Sequence, residues 1–148
     1  MFTHVLTPVD GSELSMQAAR QAIELAKVFS AKLSELLVSP TYKQLTDEGF
    51  VAPLAGAARQ RWKADVAERA KKVLGVIEAE AAKAGVKCKA VHAFHDSPHE
   101  AIIDTANKSG CDVVVIGSHG HGGMKQFILG SETSRVLSHS KIPVLVYR

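Results

Sequence analysis

Glycines that could cradle an anion gather in residues 112–131, DVVVIGSHGHGGMKQFILGS: Gly117, Gly120, Gly122 and Gly123, then Gly130 followed by Ser131. Glycine has no Cβ, so such a segment can adopt positive φ and bring several amide N–H groups close to one anion. A helical pattern, Thr133, Val136 and Leu137, starts just after Gly130-Ser131. A helix start adds unpaired N–H groups and the positive end of its dipole. Phosphate is the ligand that suits this chemistry, each amide–phosphate bond contributing roughly 1.5–3 kcal/mol. A glycine loop that binds nothing is the alternative at this level. The segment matches neither the phosphate loop ending in GK[ST] nor the G-x-G-x-x-G fingerprint.

Two other chemistries deserve comparison. A serine nucleophile would need G-x-S-x-G, and Gly117-Ser118-His119-Gly120 does not supply it. A metal could take His119 and His121 with His92, His95 or His99, but no zinc-like spacing or accompanying cysteine or carboxylate pattern supports that set. His119 is read instead as an aid to the loop amides, or as a solvated side chain. Asp10 ends a strand and fits either a strand-to-helix turn or a ligand contact.

These residues need elements to hold them. Val113 to Gly117 is a short β-branched run stopped by glycine, the pattern of a strand buried on both faces. Phe2–Val9 reads as a first strand, and Ser12 as the N-cap of a helix whose apolar face is Leu14, Ala18, Ala22, Leu25 and Phe29. Lys32–Val38 is a second strand, in which Glu35 points to the strand end or a less covered face. Thr41 to Ala57, with Gly49, Pro53 and Gly56, reads as a long loop. A long helix follows from Ala58 to Ala84, with Trp62, Val66, Ala70, Val73, Ile77 and Ala81 as its buried stripe. Its charged residues, Arg59, Arg61, Lys63, Glu68, Arg69, Lys71 and Lys72, read as a solvated face. Gly85 ends it. Val86–Ala93 alternates like an edge strand, and Ser97-Pro98-His99-Glu100 reads as a capping box before a short helix closed by Gly110. A helix over 132–140, with Ser131 as its N-cap, and a strand over 142–147 complete the chain. Strands alternating with helices predict one parallel sheet with right-handed crossovers.

The bulk numbers narrow the class. At 148 residues, with 46% hydrophobic and 22% charged residues, the chain suits one soluble globular domain. The net charge of +3 is spread among acidic residues, which argues against a nucleic-acid partner. No apolar run approaches membrane-span length, and Met1-Phe2-Thr3-His4 is not a signal-peptide start, so a cytoplasmic protein is expected. Cys88 and Cys111 lack motif spacing and read as reduced thiols.

Gly117-x2-Gly120-x9-Gly130-Ser131, with IGSHG, LGS and the final KIPVLVYR in order, resembles the ATP-binding branch of the universal stress protein family along the whole chain. The resemblance implies an open five-stranded parallel sheet of order 3-2-1-4-5, Rossmann-like, with helices on both faces. It implies ATP, with Mg²⁺, bound where the strand order reverses, beyond the ends of strands 1 and 4. Pro8, Val9 and Val38 would line the adenine side, with Asp10 at the ribose or adenine. Ile116, Gly117, Ser118, His119 and Gly120 would form one arm of the phosphate site. Gly130, Ser131, Glu132 and Thr133 would form the other. Glu132 departs from the family's usual apolar residue, and its carboxylate beside a triphosphate would make binding depend on Mg²⁺. The implied role is a regulatory or protective homodimer paired through the C-terminal strand, with at most slow hydrolysis, since no Walker lysine or positioned base is visible. The competing reading is an interaction module of the same fold that dimerises with its glycine loop empty. An adenylate-forming or phosphoryl-transfer enzyme of related fold would need a reactive-group motif that is not found.

Overall fold

A computed structural model describes residues 1–50, 55–120 and 129–148. Its elements in order are β1 (His4–Pro8), α1 (Glu13–Phe29), β2 (Lys32–Ser39), α2 (Tyr42–Asp47), α3 (Gly56–Lys83), β3 (Cys88–Phe94), α4 (Pro98–Ser109), β4 (Val113–Gly117), α5 (Ser131–His139) and β5 (Val144–Tyr147). The strands form one five-stranded sheet in the order β3-β2-β1-β4-β5, and every pairing is parallel. The fold is the expected α/β arrangement.

Alternation along the strands assigns side chains to two cores. Val5, Leu33, Leu37, Val113 and Val115 pack beneath α1 and α3, against Ala22, Ala26, Leu74 and Ile77. Leu6, Leu36, Val114 and Ile116 face the other way, against Ile102 and Ala106 of α4 and Val136 of α5. Strands buried on both faces explain why β4 reads as a continuous apolar run. Cys88 packs with the first core and Cys111 belongs to the second, so the sheet separates the two thiols. At the start of the sheet, the Asp112 carboxylate accepts from the N–H and hydroxyl of Thr3 at 2.8 and 2.7 Å and from His4 N–H at 3.1 Å. This fixes β1 beside β4.

Several expectations change. Glu35 is not on a less covered face: it is fully buried, beneath α3, opposite Thr7 of β1. The alternation of β2 puts position 35 on the same face as Leu33 and Leu37, so the register leaves it no exit. Burial, and then the nearby Glu78 carboxylate, push its carboxyl up to about 8. Glu35 Oε2 and Thr7 Oγ1 have no hydrogen-bond partner among the described residues.

The segment read as a loop after Thr41 contains the helix α2. Thr41 caps it, accepting from Gln44 N–H at 3.1 Å. None of its residues is buried, so no apolar period announced it; Tyr42 instead packs on the ring of Trp62 at 5.2 Å. Residues 51–54 of the same stretch lie outside the described residues.

The capping box at Ser97 does not form. Pro98 does open α4, but the Ser97 hydroxyl pairs with His99 Nδ1 at 3.1 Å. The N–H of His99 donates to Glu132 Oε2 at 2.8 Å, so a carboxylate from α5 caps the start of α4. Ser131 is the first residue of α5 rather than its N-cap, a place taken by Gly130.

Candidate functional site

The chain leaves β1 toward β2 on one side and leaves β4 toward β5 on the other. The connections therefore diverge beyond the carboxyl ends of β1 and β4, which opens a crevice there. On the β1 side, Asp10 follows the strand. Its Oδ1 accepts from Ser12 N–H at 2.9 Å and its own N–H donates to the Ser15 hydroxyl at 3.2 Å. Gly11, next along the chain, has φ 82°, a turn that needs a left-handed backbone.

On the β4 side two bonds clasp the strand end to the helix start. Gly130 N–H donates to the Ser118 carbonyl at 2.7 Å, and the Thr133 hydroxyl donates to the Gly117 carbonyl at 2.9 Å in a buried contact. Ser118 N–H donates to the Tyr147 carbonyl at 2.7 Å, tying the clasp to β5. The amides of Ser118 and Gly130 are thus framework rather than anion donors. The first turn of α5 offers further donors, which have no carbonyl of their own helix to bond.

The motif glycines are required for contact, not for positive φ. Gly130 has φ −58°, an ordinary value for any residue. A Cβ on it would lie 3.2 Å from His119 Cα and 3.2 Å from the Ser118 carbonyl oxygen. A Cβ on Gly120 would meet Asp10 Oδ2 at 2.2 Å. The glycine spacing thus lets the loop after β4 lie directly against both Asp10 and the approach to α5. His121, Gly122 and Gly123 of the same run lie outside the described residues.

The crevice is a cleft of about 520 Å³. Pro8, Val9, Asp10 and Val38 line one side; Ile116, Gly117, His119 and Gly120 line the loop side; Gly130, Ser131, Glu132 and Thr133 line the helix start. Of the residues named from sequence, Ser118 alone is not at its surface: it is buried, with its hydroxyl 3.1 Å from His119 Nδ1. Ser15, Leu36, Pro98, Ile102 and Leu129 also line the cleft and were not foreseen. Leu36 was within reach, since the period of two places it on the same face as Val38. Pro98 and Ile102 depend on how α4 packs, which no local pattern displays.

Glu132 lines the cleft but its carboxylate is turned elsewhere. Oε2 takes His99 N–H and lies 3.1 Å from His99 Nδ1, and Oε1 accepts from Arg135 at 2.7 Å. Both oxygens therefore have protein donors. Among the described residues no group of three or more His, Cys, Asp or Glu is placed to hold a metal. His92 pairs with the Ser39 hydroxyl at 2.9 Å and His95 Nδ1 accepts from Ser97 N–H at 2.9 Å. No helix among the described residues is long and apolar enough to cross a membrane.

Comparison with known proteins adds the family. The family model described as "Universal stress protein family" matches residues 1–148. The universal stress protein YxiE of Bacillus subtilis is 32% identical over 157 aligned positions, covering 100% of both chains. The solved structure of protein MJ0577, from Methanocaldococcus jannaschii, superposes with a TM-score of 0.82 at 29% identity, covering 99% of this chain and 95% of that one. A universal stress protein solved in complex with cAMP superposes with a TM-score of 0.72 at 21% identity, covering 99% of this chain and 97% of the other, a likeness that speaks for the fold.

Proposed function

The chain belongs to the universal stress protein family, and from that premise we propose that it is a nucleotide-binding regulatory protein of the stress response, taking ATP in the cleft between β1 and β4. One observation carries the reading. The strand end at Asp10, the loop at Gly117 to Gly120 and the start of α5 meet in a single cleft at the reversal of strand order. Pro8, Val9, Leu36 and Val38 offer an apolar wall to the base. Asp10 offers carboxylate oxygens to the ribose hydroxyls. The first turn of α5 offers amide donors and the positive end of its dipole to the phosphates. The close contacts at Gly120 and Gly130 let the loop lie against Asp10 and the start of α5, which brings the three parts of the cleft together. A cyclic adenine nucleotide in a protein of the same fold agrees with this class of ligand.

Mg²⁺ is not offered a cage by these side chains. Glu132 has both oxygens bonded within the protein, so a Mg²⁺ accompanying ATP would be held by phosphate oxygens and water. None of the described lining residues is lysine or arginine, and the role assigned is binding rather than turnover.

The homodimer belongs to the same proposal. Among the described residues β5 pairs only with β4, and Leu145 on it is 44% exposed. Antiparallel pairing of two copies of β5 about a two-fold axis would cover this edge in both. The bonds that Ser118 and Gly130 make inside the loop favour one rival, a partner-binding module of the same fold that needs no nucleotide to order this clasp. Mass analysis of small molecules released on denaturing freshly purified protein separates the two. The proposal expects an adenine nucleotide; no released nucleotide, together with no binding of added ATP, supports the rival.

A further inference from the structure

We propose that the cleft between α2, the first turns of α3 and the end of β3 is a second ligand site, built for a planar aromatic anion. Thr41, Tyr42, Arg59, Trp62, Lys63 and Phe94 line this cavity of about 520 Å³. It shares no lining residue with the cleft beyond β1 and β4.

Aromatic residues are scarce here, with one Trp, two Tyr and five Phe in the chain. Three of them, including the sole Trp, meet at this cleft: Tyr42 and Trp62 at 5.2 Å, Trp62 and Phe94 at 6.1 Å between ring centroids. All three are half-buried, and α2 buries no residue. If the cluster served only to fasten α2, it would close over its rings; instead it leaves ring surface on an open cavity. A flat ligand can stack there.

Two cations frame the rings. The Arg59 guanidinium sits 4.8 Å from the Tyr42 centroid and Lys63 Nζ 5.7 Å from the Phe94 centroid. They stand four positions apart on α3, so they share the face that also presents Trp62. Neither belongs to any salt bridge among the described residues, and the first turn of α3 holds no acidic residue. Asp96, the carboxylate nearest this end of β3, takes the Thr41 hydroxyl. The cavity therefore combines ring faces with cations that form no salt bridge among the described residues, which selects for aromaticity and negative charge together. These are two of the charges that the sequence alone shows as part of a solvated face.

Trp62, being the only tryptophan, reports on the site directly. The full-length protein, without added nucleotide, is titrated with anilinonaphthalene sulfonate and with the uncharged phenyl-naphthylamine, following energy transfer from Trp62. The wild type should bind the sulfonate at least about tenfold more tightly than the uncharged amine, the factor expected of one charge-assisted contact. Arg59→Gln with Lys63→Gln should abolish that preference and leave binding of the amine nearly unchanged. Both substituted side chains are exposed, and a circular-dichroism melt verifies that the variant folds. Absence of energy transfer, equal affinity of the wild type for both probes, or a preference that survives the double substitution would each overturn the proposal.

Discussion

Replacing Glu35 with glutamine should flatten the pH dependence of stability between pH 5 and 8. Glu35 is fully buried under α3 with one carboxyl oxygen unpartnered, and burial holds its pKa at about 8 against an ordinary 4.5. Below pH 4.5 the folded and unfolded chains both carry the proton, and folding loses nothing. Above it the unfolded chain releases the proton while the folded chain keeps it, so stability falls with rising pH until the folded group also titrates near 8. The slope is about 1.4 kcal/mol per pH unit, which gives a loss on the order of 4 kcal/mol between pH 5 and 8. That is a large part of a typical stability of about 5–15 kcal/mol.

Other groups act differently in this range. His92 is held below its usual value by burial, so its contribution is present above the ordinary pKa and lost as pH falls. The Cys88 and Cys111 thiols are raised to about 12 and about 11, chiefly by burial, so they cost stability only above their ordinary value of 9. Urea midpoints of wild type and Glu35→Gln at intervals across the window isolate Glu35, because the amide's own burial cost does not vary with pH. Parallel curves for the two proteins would refute the assignment of a buried, protonated Glu35.

Thr133→Val removes the buried hydroxyl that bonds the Gly117 carbonyl and should lower stability by about 1–3 kcal/mol; an unchanged urea midpoint would mean that the clasp does not depend on it. Glu132→Gln weakens the cap on α4 and should cost about 0.5–2 kcal/mol. Its effect on ATP affinity should be the same with Mg²⁺ and with a chelator, and a large gain confined to the chelator would place the carboxylate at the phosphates instead. Leu145→Glu sets like charges at the proposed β5 pairing and should shift light-scattering mass from dimer toward monomer; a wild type that is already monomeric at micromolar concentration would count against the homodimer.

The parallel sheet follows from signals that are strong locally, β-branched runs such as 113–116 and glycines at helix ends, whereas its strand order is implied only by the family resemblance that the motif carries. The lining residues named from sequence each lie at a strand terminus or within the motif, whereas Ser15, Pro98 and Ile102 stand on helices whose packing no local pattern displays. What escaped depended on tertiary contact. α2 has no buried face and rests on Trp62, so its sequence carries no period. Ser97 looks like a cap, yet Glu132, far along the chain, takes the amide that matters. The burial of Glu35 follows from sheet register, which isolated strands do not display. The glycine pattern predicted a backbone need correctly but for a partly different reason, since Gly130 avoids a clash rather than adopting positive φ.

Calorimetric titration of wild type and Gly130→Val with ATP and Mg²⁺ tests the central claim most directly. The added side chain would press on the Ser118 carbonyl and His119, starting from a Cβ contact of 3.2 Å, where the loop meets α5. The account predicts saturable binding by the wild type and at least about a tenfold loss in the variant, equivalent to about 1.4 kcal/mol, with a circular-dichroism spectrum still that of the folded protein. Equal affinity in the two proteins, or no binding by the wild type, would contradict it.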